Sequence, residues 1–217
     1  LLFALLVLNH AFFFTMDADE AFNADIAKNW VAGYGYSSSL GVIFPFDAYI
    51  SSGPGYTFVQ SIVIYLFGND PDVQKPFIAL VHLLLFANIL RLLREKLESP
   101  LQFLALVFFS LSSYALLEFK FWHRPAGELL SLLYFLNGAL LLGVVLDSQE
   151  MRTKRAGVAL LTGLFIAAAC LTKGQALLWV AGLLAAVTLV VFRQRSWNFL
   201  PLLGIFLLAF VLPVLGW

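Results

Sequence analysis

The chain has 217 residues, of which 61% are hydrophobic, 16% aromatic and only 12% charged, and its 13 basic and 13 acidic side chains give a formal net charge of zero. Soluble globular domains carry about 25% charged residues, so a mean hydropathy of +0.90 excludes that class and predicts an all-α polytopic membrane protein. Zero net charge leaves no electrostatic footprint for nucleic acid, and the lone cysteine, Cys170, excludes an internal disulfide and a cysteine-rich metal site.

The first predicted element is the apolar run LLFALLVLNHAFFF, Leu1 to Phe14. With no basic region before it and no small-x-small cleavage site after it, this reads as a truncated first transmembrane helix rather than a signal peptide. The chain starts without Met inside this run and ends on the apolar VLPVLGW, so residues 1–217 read as a fragment cut at both ends. TMDADE follows, with Asp17, Asp19 and Glu20 in four positions. A carboxylate moved to the bilayer centre costs roughly 2.5 to 3.5 kcal/mol, so these acids must face water or a polar cavity. Either they form a site, or Asp19 merely caps the next helix while the others are solvated.

In EAFNADIAKNWVAG, Ala21, Phe22, Ile26, Trp30 and Val31 recur near helical spacing, with Asp25, Lys28 and Asn29 on other faces. The pattern predicts an amphipathic helix on the membrane surface, with Asp19 as N-cap and Gly33 with Gly35 as its end. Its N-terminus would attract anionic ligands and lower carboxylate pKa. The rest of this first loop, residues 16–55, is rich in Ser, Gly and aromatic residues, as in a loop that lines a site. Tyr56 to Phe67 is apolar but short, carries Gln60 and Ser61, and lies between SSGPG and GNDPD. Its length suits an interfacial or re-entrant helix rather than a span.

Longer apolar stretches fall at 76–90, 100–117, 128–146, 156–172, 176–192 and 198–217, which with the first makes about seven transmembrane helices. Basic residues in short loops favour the cytoplasm. If 56–67 does not span, Arg91, Arg94, Lys96, Arg152, Lys154, Arg155, Arg193 and Arg195 all fall inside. The opposite, extracytoplasmic side then collects TMDADE, SSGPG, GNDPD, EFKFWHRPAGE and the tight turn LTKGQ.

The acidic DADE cluster after the first span, the helix IAKNWVAGYGYSSS, the Gly53-Pro54 step before a short helix ending in LFG, and the later LTKG together resemble the GT-C glycosyltransferases. The likeness is to bacterial members of the dolichyl-phosphate-mannose protein mannosyltransferase and aminoarabinose transferase group (glycosyltransferase families 39 and 83), and covers about the whole chain as their N-terminal membrane module. It implies transfer of a sugar from a polyprenyl-phosphate donor to an extracytoplasmic acceptor (protein, lipid or glycan), in an enzyme of the bacterial inner membrane facing the periplasm or exterior. The family's outer-loop acidic motif falls on Asp19 and Glu20, with Asp17 upstream. Lys75 stands where an arginine is frequent, which keeps the charge but loses the bidentate fork. Glu128 matches an acid at a helix start, and Lys173 matches directly.

For that chemistry a carboxylate must take the acceptor's proton, and Asp19 is the expected base. Asp17 and Glu20 would tune its pKa by like-charge repulsion or help hold a divalent cation, Mg or Mn, whose use the sequence leaves open. The donor phosphate needs cations. Lys173 is the first candidate, set against a lysine that merely snorkels from a short turn; Arg124 and Lys120 follow, set against anchors beside Trp122 in an aromatic belt. His123 has no spaced partner and reads as supporting rather than metal-ligating, and Glu128 serves equally as a helix-dipole partner. The competing functions are a transporter, which would place ionisable residues at mid-span, and a non-catalytic protein that binds a lipid carrier.

Overall fold

A computed structural model describes residues 18–39, 42–45, 53–96, 126–147, 152–194 and 199–216. These are mostly helical, in seven helices: α1 (Ala18–Val31), α2 (Pro54–Phe67), α3 (Pro71–Lys96), α4 (Ala126–Asp147), α5 (Arg152–Thr172), α6 (Ala176–Gln194) and α7 (Leu200–Leu215). The apolar stretches expected at 76–90, 128–146, 156–172, 176–192 and 198–217 fall on α3 to α7, while those at 1–14 and 100–117 lie outside the described residues. Two helices are long and apolar enough to cross a membrane, α5 over Arg155–Thr172 and α6 over Ala176–Arg193.

The described residues are mostly helical, as expected, with one small exception. Two short strands, β1 (Ser37–Ser38) and β2 (Phe44–Pro45), pair antiparallel, with Ser37 opposite Pro45 and Ser38 opposite Phe44. Gly33 and Gly35 lie at φ +86° and +69°, a region open mainly to glycine. They end α1 as expected and turn the chain so that the serines run beside it. The segment expected at 56–67 is helical and begins two residues earlier, with Pro54 at its first position, where a missing N–H costs nothing. Gly68, at φ +92°, ends it through its N–H on the Ile64 carbonyl at 2.8 Å. At 14 residues α2 is about 21 Å long, short of the roughly 30 Å of hydrocarbon.

The chain divides into two units, Leu1–Asp47 with Tyr56–Leu129, and Ala48–Gly55 with Leu130–Trp217. In the second, the short connection after α5 makes α5 and α6 an antiparallel hairpin, so Arg155 and Arg193 lie at one end and Lys173 at the other. One apolar cluster joins Leu142, Val145, Ala159, Val187, Val191, Phe199 and Leu202, and a second joins Ile166, Ala169, Cys170, Ala176, Val180 and Phe206. Polar groups turn inward: Ser131 Oγ donates to the Ala169 carbonyl at 2.9 Å, and Arg155 Nη2 donates to the Val145 carbonyl at 2.9 Å, near the negative end of α4.

Small residues set how closely these helices approach. A Cβ on Gly163 would lie 2.5 Å from the Phe206 carbonyl oxygen and 2.6 Å from the Ala209 Cβ, both on α7. One on Gly138 would lie 2.7 Å from Ile166 Cδ1, the far end of a flexible side chain. Gly163→Ala is therefore expected to destabilise by roughly 1 to 3 kcal/mol, the usual range for overpacking, and Gly138→Ala by clearly less. Thermal unfolding of the two variants in detergent checks the order.

Candidate functional site

In the first unit, α1 is organised around a polar face rather than the apolar one expected. Ile26 and Ala27 are fully buried, but so are Asn23 and Asn29, at 1% and 2% exposure, whereas Phe22 and Val31 are exposed. The physical reason is the serine segment that folds back on α1. Asp25 and Asn29 stand one turn apart on a common face. Asn29 Nδ2 donates to the Ser37 carbonyl at 3.0 Å. Asp25 accepts the Ser39 N–H at 2.8 Å, the Ser38 hydroxyl at 3.1 Å and the Ser39 hydroxyl, and pairs with Lys28 at 3.5 Å. Burial alone would raise the Asp25 pKa, but the hydrogen bonds from Ser39 and Ser38 and the Lys28 charge outweigh it, so the carboxyl lies below its ordinary value.

Aromatic contacts extend this cluster. The Trp30 ring meets Tyr36 and Phe58 edge-on, with centroids 5.9 and 5.7 Å apart. Burial pushes the Tyr36 hydroxyl up to about 12, opposed by its hydrogen bond with the Thr57 side chain. Along α2 the buried face carries Tyr56, Thr57, Gln60 and Ser61, while Phe58, Ile62, Tyr65 and Leu66 point outward. That is the reverse of a helix facing water.

Around α1 and α2 in this unit, Oδ1 and Nδ2 of Asn23, Oγ of Ser37 and Oε1 of Gln60 are buried polar atoms without a hydrogen-bond partner among the described residues. Leaving such a group unmatched costs roughly 1 to 3 kcal/mol. Asn23 bears two of these atoms on one carboxamide.

In the second unit the structure brings together two motifs that are distant in sequence, SGPG and LTKG. The carbonyls at a helix C-terminus need partners from elsewhere, and α5 finds them closely. Gly53 N–H donates to the Thr172 carbonyl at 3.0 Å, Lys173 N–H to Ala169 at 3.0 Å, and the Thr172 hydroxyl to Ala168 at 2.7 Å. Beyond the turn, the Ala176 N–H returns to the Lys173 carbonyl at 3.0 Å. A Cβ on Gly53 would fall 2.1 Å from the Leu171 carbonyl oxygen, and one on Gly55 would fall 2.5 Å from Thr172 Oγ1 and 2.9 Å from its backbone nitrogen. Glycine at both positions is what permits backbone to lie against backbone here. Lys173 is half-buried at this junction, with its positive charge at the negative end of α5.

The expected site residues divide as follows. Asp19 and Glu20 are the second and third residues of α1, and Lys75 is the fifth of α3; of these three the backbone alone is described. The helix already begins at Ala18, so Asp19 sits inside the first turn rather than ahead of it as N-cap. Asp17, His123 and Arg124, with Lys120, lie outside the described residues. Glu128 stands in the first turn of α4, as expected. By unit, Asp19, Glu20, Lys75 and Glu128 belong to the first and Lys173 to the second. Among the described residues, no group of three or more His, Cys, Asp or Glu is gathered as for a metal ion. Sequence reasoning missed the roles of Asp25 and Asn29, although an acid and an amide four apart, followed by a serine triplet, carry the signal.

Comparison of this chain with family models, curated proteins and solved structures gives no match.

Two expectations follow from this geometry. Gly53→Ala and Gly55→Ala should each force the backbone apart at the α5 end and lower thermal stability by roughly 1 to 3 kcal/mol, whereas Ala in place of Gly174, where a Cβ would meet nothing within 4 Å, should change it little. Because Asp25 has a lowered pKa in the folded chain, its contribution is present in full above the ordinary Asp value of about 3.9. It is lost only as pH falls through the lower folded value. Hydrogen exchange at the Ser39 amide should therefore stay protected to below pH 4 and lose that protection already at neutral pH in Asp25→Ala.

Proposed function

We propose that this chain is an integral multi-pass membrane glycosyltransferase of the GT-C type, which transfers a sugar from a polyprenyl-phosphate donor to an acceptor on the extracytoplasmic side. The observation that carries the reading is the seating of Gly53–Gly55 on the LTKG turn. Two of the four strings on which the resemblance rests are joined by a backbone hydrogen bond of 3.0 Å and by contacts that tolerate no side chain.

The outward side chains support a lipid setting. Leu160, Leu161 and Leu164 on α5, Leu178 and Leu189 on α6, and Leu208 and Leu212 on α7 are exposed large apolar residues. Such surface in contact with water would favour association, and hydrocarbon covers it without penalty. With the basic ends of α5 and α6 on the cytoplasmic side, the LTKG turn faces outward, together with the first loop and the N-terminus of α1. The outward apolar face and polar inner face of α2 suit a helix laid at the bilayer boundary, short of spanning it.

In this reading Asp19 takes the proton of the acceptor as its oxygen or nitrogen attacks the sugar carbon, and Glu20 and Asp17 set its charge state. Lys173, with Arg124 and Lys75, offsets the charge that develops on the departing polyprenyl phosphate. Asp19 stands in the first turn of α1, at the positive end of the helix dipole. The acceptor base contributes typically 10² to 10⁴-fold, so Asp19→Asn should lower kcat by about that factor with little change in donor KM. Radiolabelled sugar transfer in membrane vesicles measures it, and unchanged turnover would remove the base assignment.

A further inference from the structure

At one end of the second unit a single apolar cluster gathers four helices: Val145 near the end of α4, Ala159 on α5, Val191 near the end of α6, and Phe199 with Leu202 at the start of α7. Two arginines stand at this end, Arg155 as the fourth residue of α5 and Arg193 in the last turn of α6. Among the described residues neither is paired with a carboxylate. Arg155 is held in place: its Nη2 donates to the Val145 carbonyl at 2.9 Å and its Nε is enclosed, which leaves Nη1 as the nitrogen neither bonded nor shut away. Arg193 is exposed. Leu189, Phe192 and Arg193 are spaced to share one face of α6, and Leu189 and Phe192 are 71% and 62% exposed. In sequence, residues 147–155 and 193–195 hold five basic side chains against two acidic ones, Asp147 and Glu150.

We propose that this end of the second unit binds an anionic phospholipid, its phosphate held by Arg155 and Arg193 and an acyl chain lying along the Leu189 and Phe192 face of α6. The inference rests on the multi-pass membrane reading and is independent of the glycosyl-transfer chemistry. A guanidinium at the border of hydrocarbon needs a counter-charge, and a phosphate diester supplies it with oxygens that match the N–H groups of arginine. The ligand is a lipid rather than free phosphate because exposed apolar side chains continue directly from Arg193 along its own helix face. It is anionic rather than zwitterionic because a choline or ethanolamine head group would bring a second cation to an end that is already basic. The cytoplasmic preference of basic residues asks only for charge on that side; it does not ask for an arginine anchored to a helix carbonyl beside an apolar ladder. With the basic ends of α5 and α6 inside, the lipid belongs to the cytoplasmic leaflet, whose anionic head groups attract such residues. A head group shared by the start of α5 and the end of α6 ties the two helices together, so binding should raise thermal stability.

Native mass spectrometry of the purified, delipidated full chain in detergent tests this, with dioleoylphosphatidylglycerol as the probe and dioleoylphosphatidylcholine as the control lipid. The parent should bind phosphatidylglycerol in clear preference to phosphatidylcholine. Arg155→Gln and Arg193→Gln should each weaken phosphatidylglycerol binding about fivefold, the usual worth of one basic residue near an anionic lipid surface, and leave phosphatidylcholine binding as it was. Because Arg193 is exposed, its replacement removes the charge without disturbing the fold, so the test does not depend on the Arg155 variant. Arg91→Gln takes the same charge from the first unit and should leave the affinity unchanged. Equal binding of the two lipids by the parent, undiminished phosphatidylglycerol affinity in Arg193→Gln, or an equal loss in Arg91→Gln would each overturn the proposal. Displacement of the lipid by inorganic phosphate would also overturn it, by marking a bare anion site. Release of the chain from membranes by alkaline carbonate would overturn the membrane reading beneath it, whereas retention in the membrane without preference for phosphatidylglycerol removes the lipid site alone.

Discussion

A chain with an apolar exterior has to satisfy its polar groups inward, and this one constraint accounts for most of what the described structure does. The hydroxyls of Thr162, Thr172 and Thr188 each return to a carbonyl one turn back on their own helix. Ser131 and Arg155 reach across to carbonyls on neighbouring helices instead. At the C-terminus of α5, where the helix has no bonds left to offer itself, backbone from residues 53–55 supplies the partner, and the glycines there remove whatever would hold it off. The same demand explains why Asp25 collects three hydrogen bonds from two serines rather than standing in water.

Against that economy the unmatched carboxamide of Asn23 stands out. Buried polar groups are nearly always bonded, and the described residues give this one no partner. The two units contribute differently: the first carries the carboxylates and the orphan amide, and the second carries Lys173 on a turn whose backbone is tied at nearly every step.

Helical periodicity and apolar length made α2 and α4 to α7 legible to within a few residues, and α3 in its apolar middle though not at its polar ends, Pro71 and Lys96, because a helix of this kind is written locally in runs and in the Gly, Pro and charged residues that end them. The end of α1 at Gly33 was legible for the same reason. Its buried face was not, since the apolar residues suggested one stripe while the serines that settle the matter come back from 13 and 14 positions away to the Asp25 side chain. The hairpin of β1 and β2 escaped because two-residue strands leave no period to read. Gly53-Pro54-Gly55 and LTKG were visible as strings, but their contact was not, because no local rule relates a helix end to a loop more than a hundred residues earlier. Of the candidate site, the acids, Glu128 and Lys173 were proposed from residue type and order, whereas nothing in the sequence singled out Asn23, whose burial only the structure shows.

The account depends most on the acidic first loop and the LTKG turn lying on the same, outer side of a membrane. Single cysteines introduced separately as Asp19→Cys and Lys173→Cys, in a chain whose Cys170 is replaced by alanine, can be exposed in intact cells to a maleimide that does not cross membranes. The account predicts that both are labelled without permeabilisation. Labelling of one from outside and of the other only after the membrane is opened would contradict it.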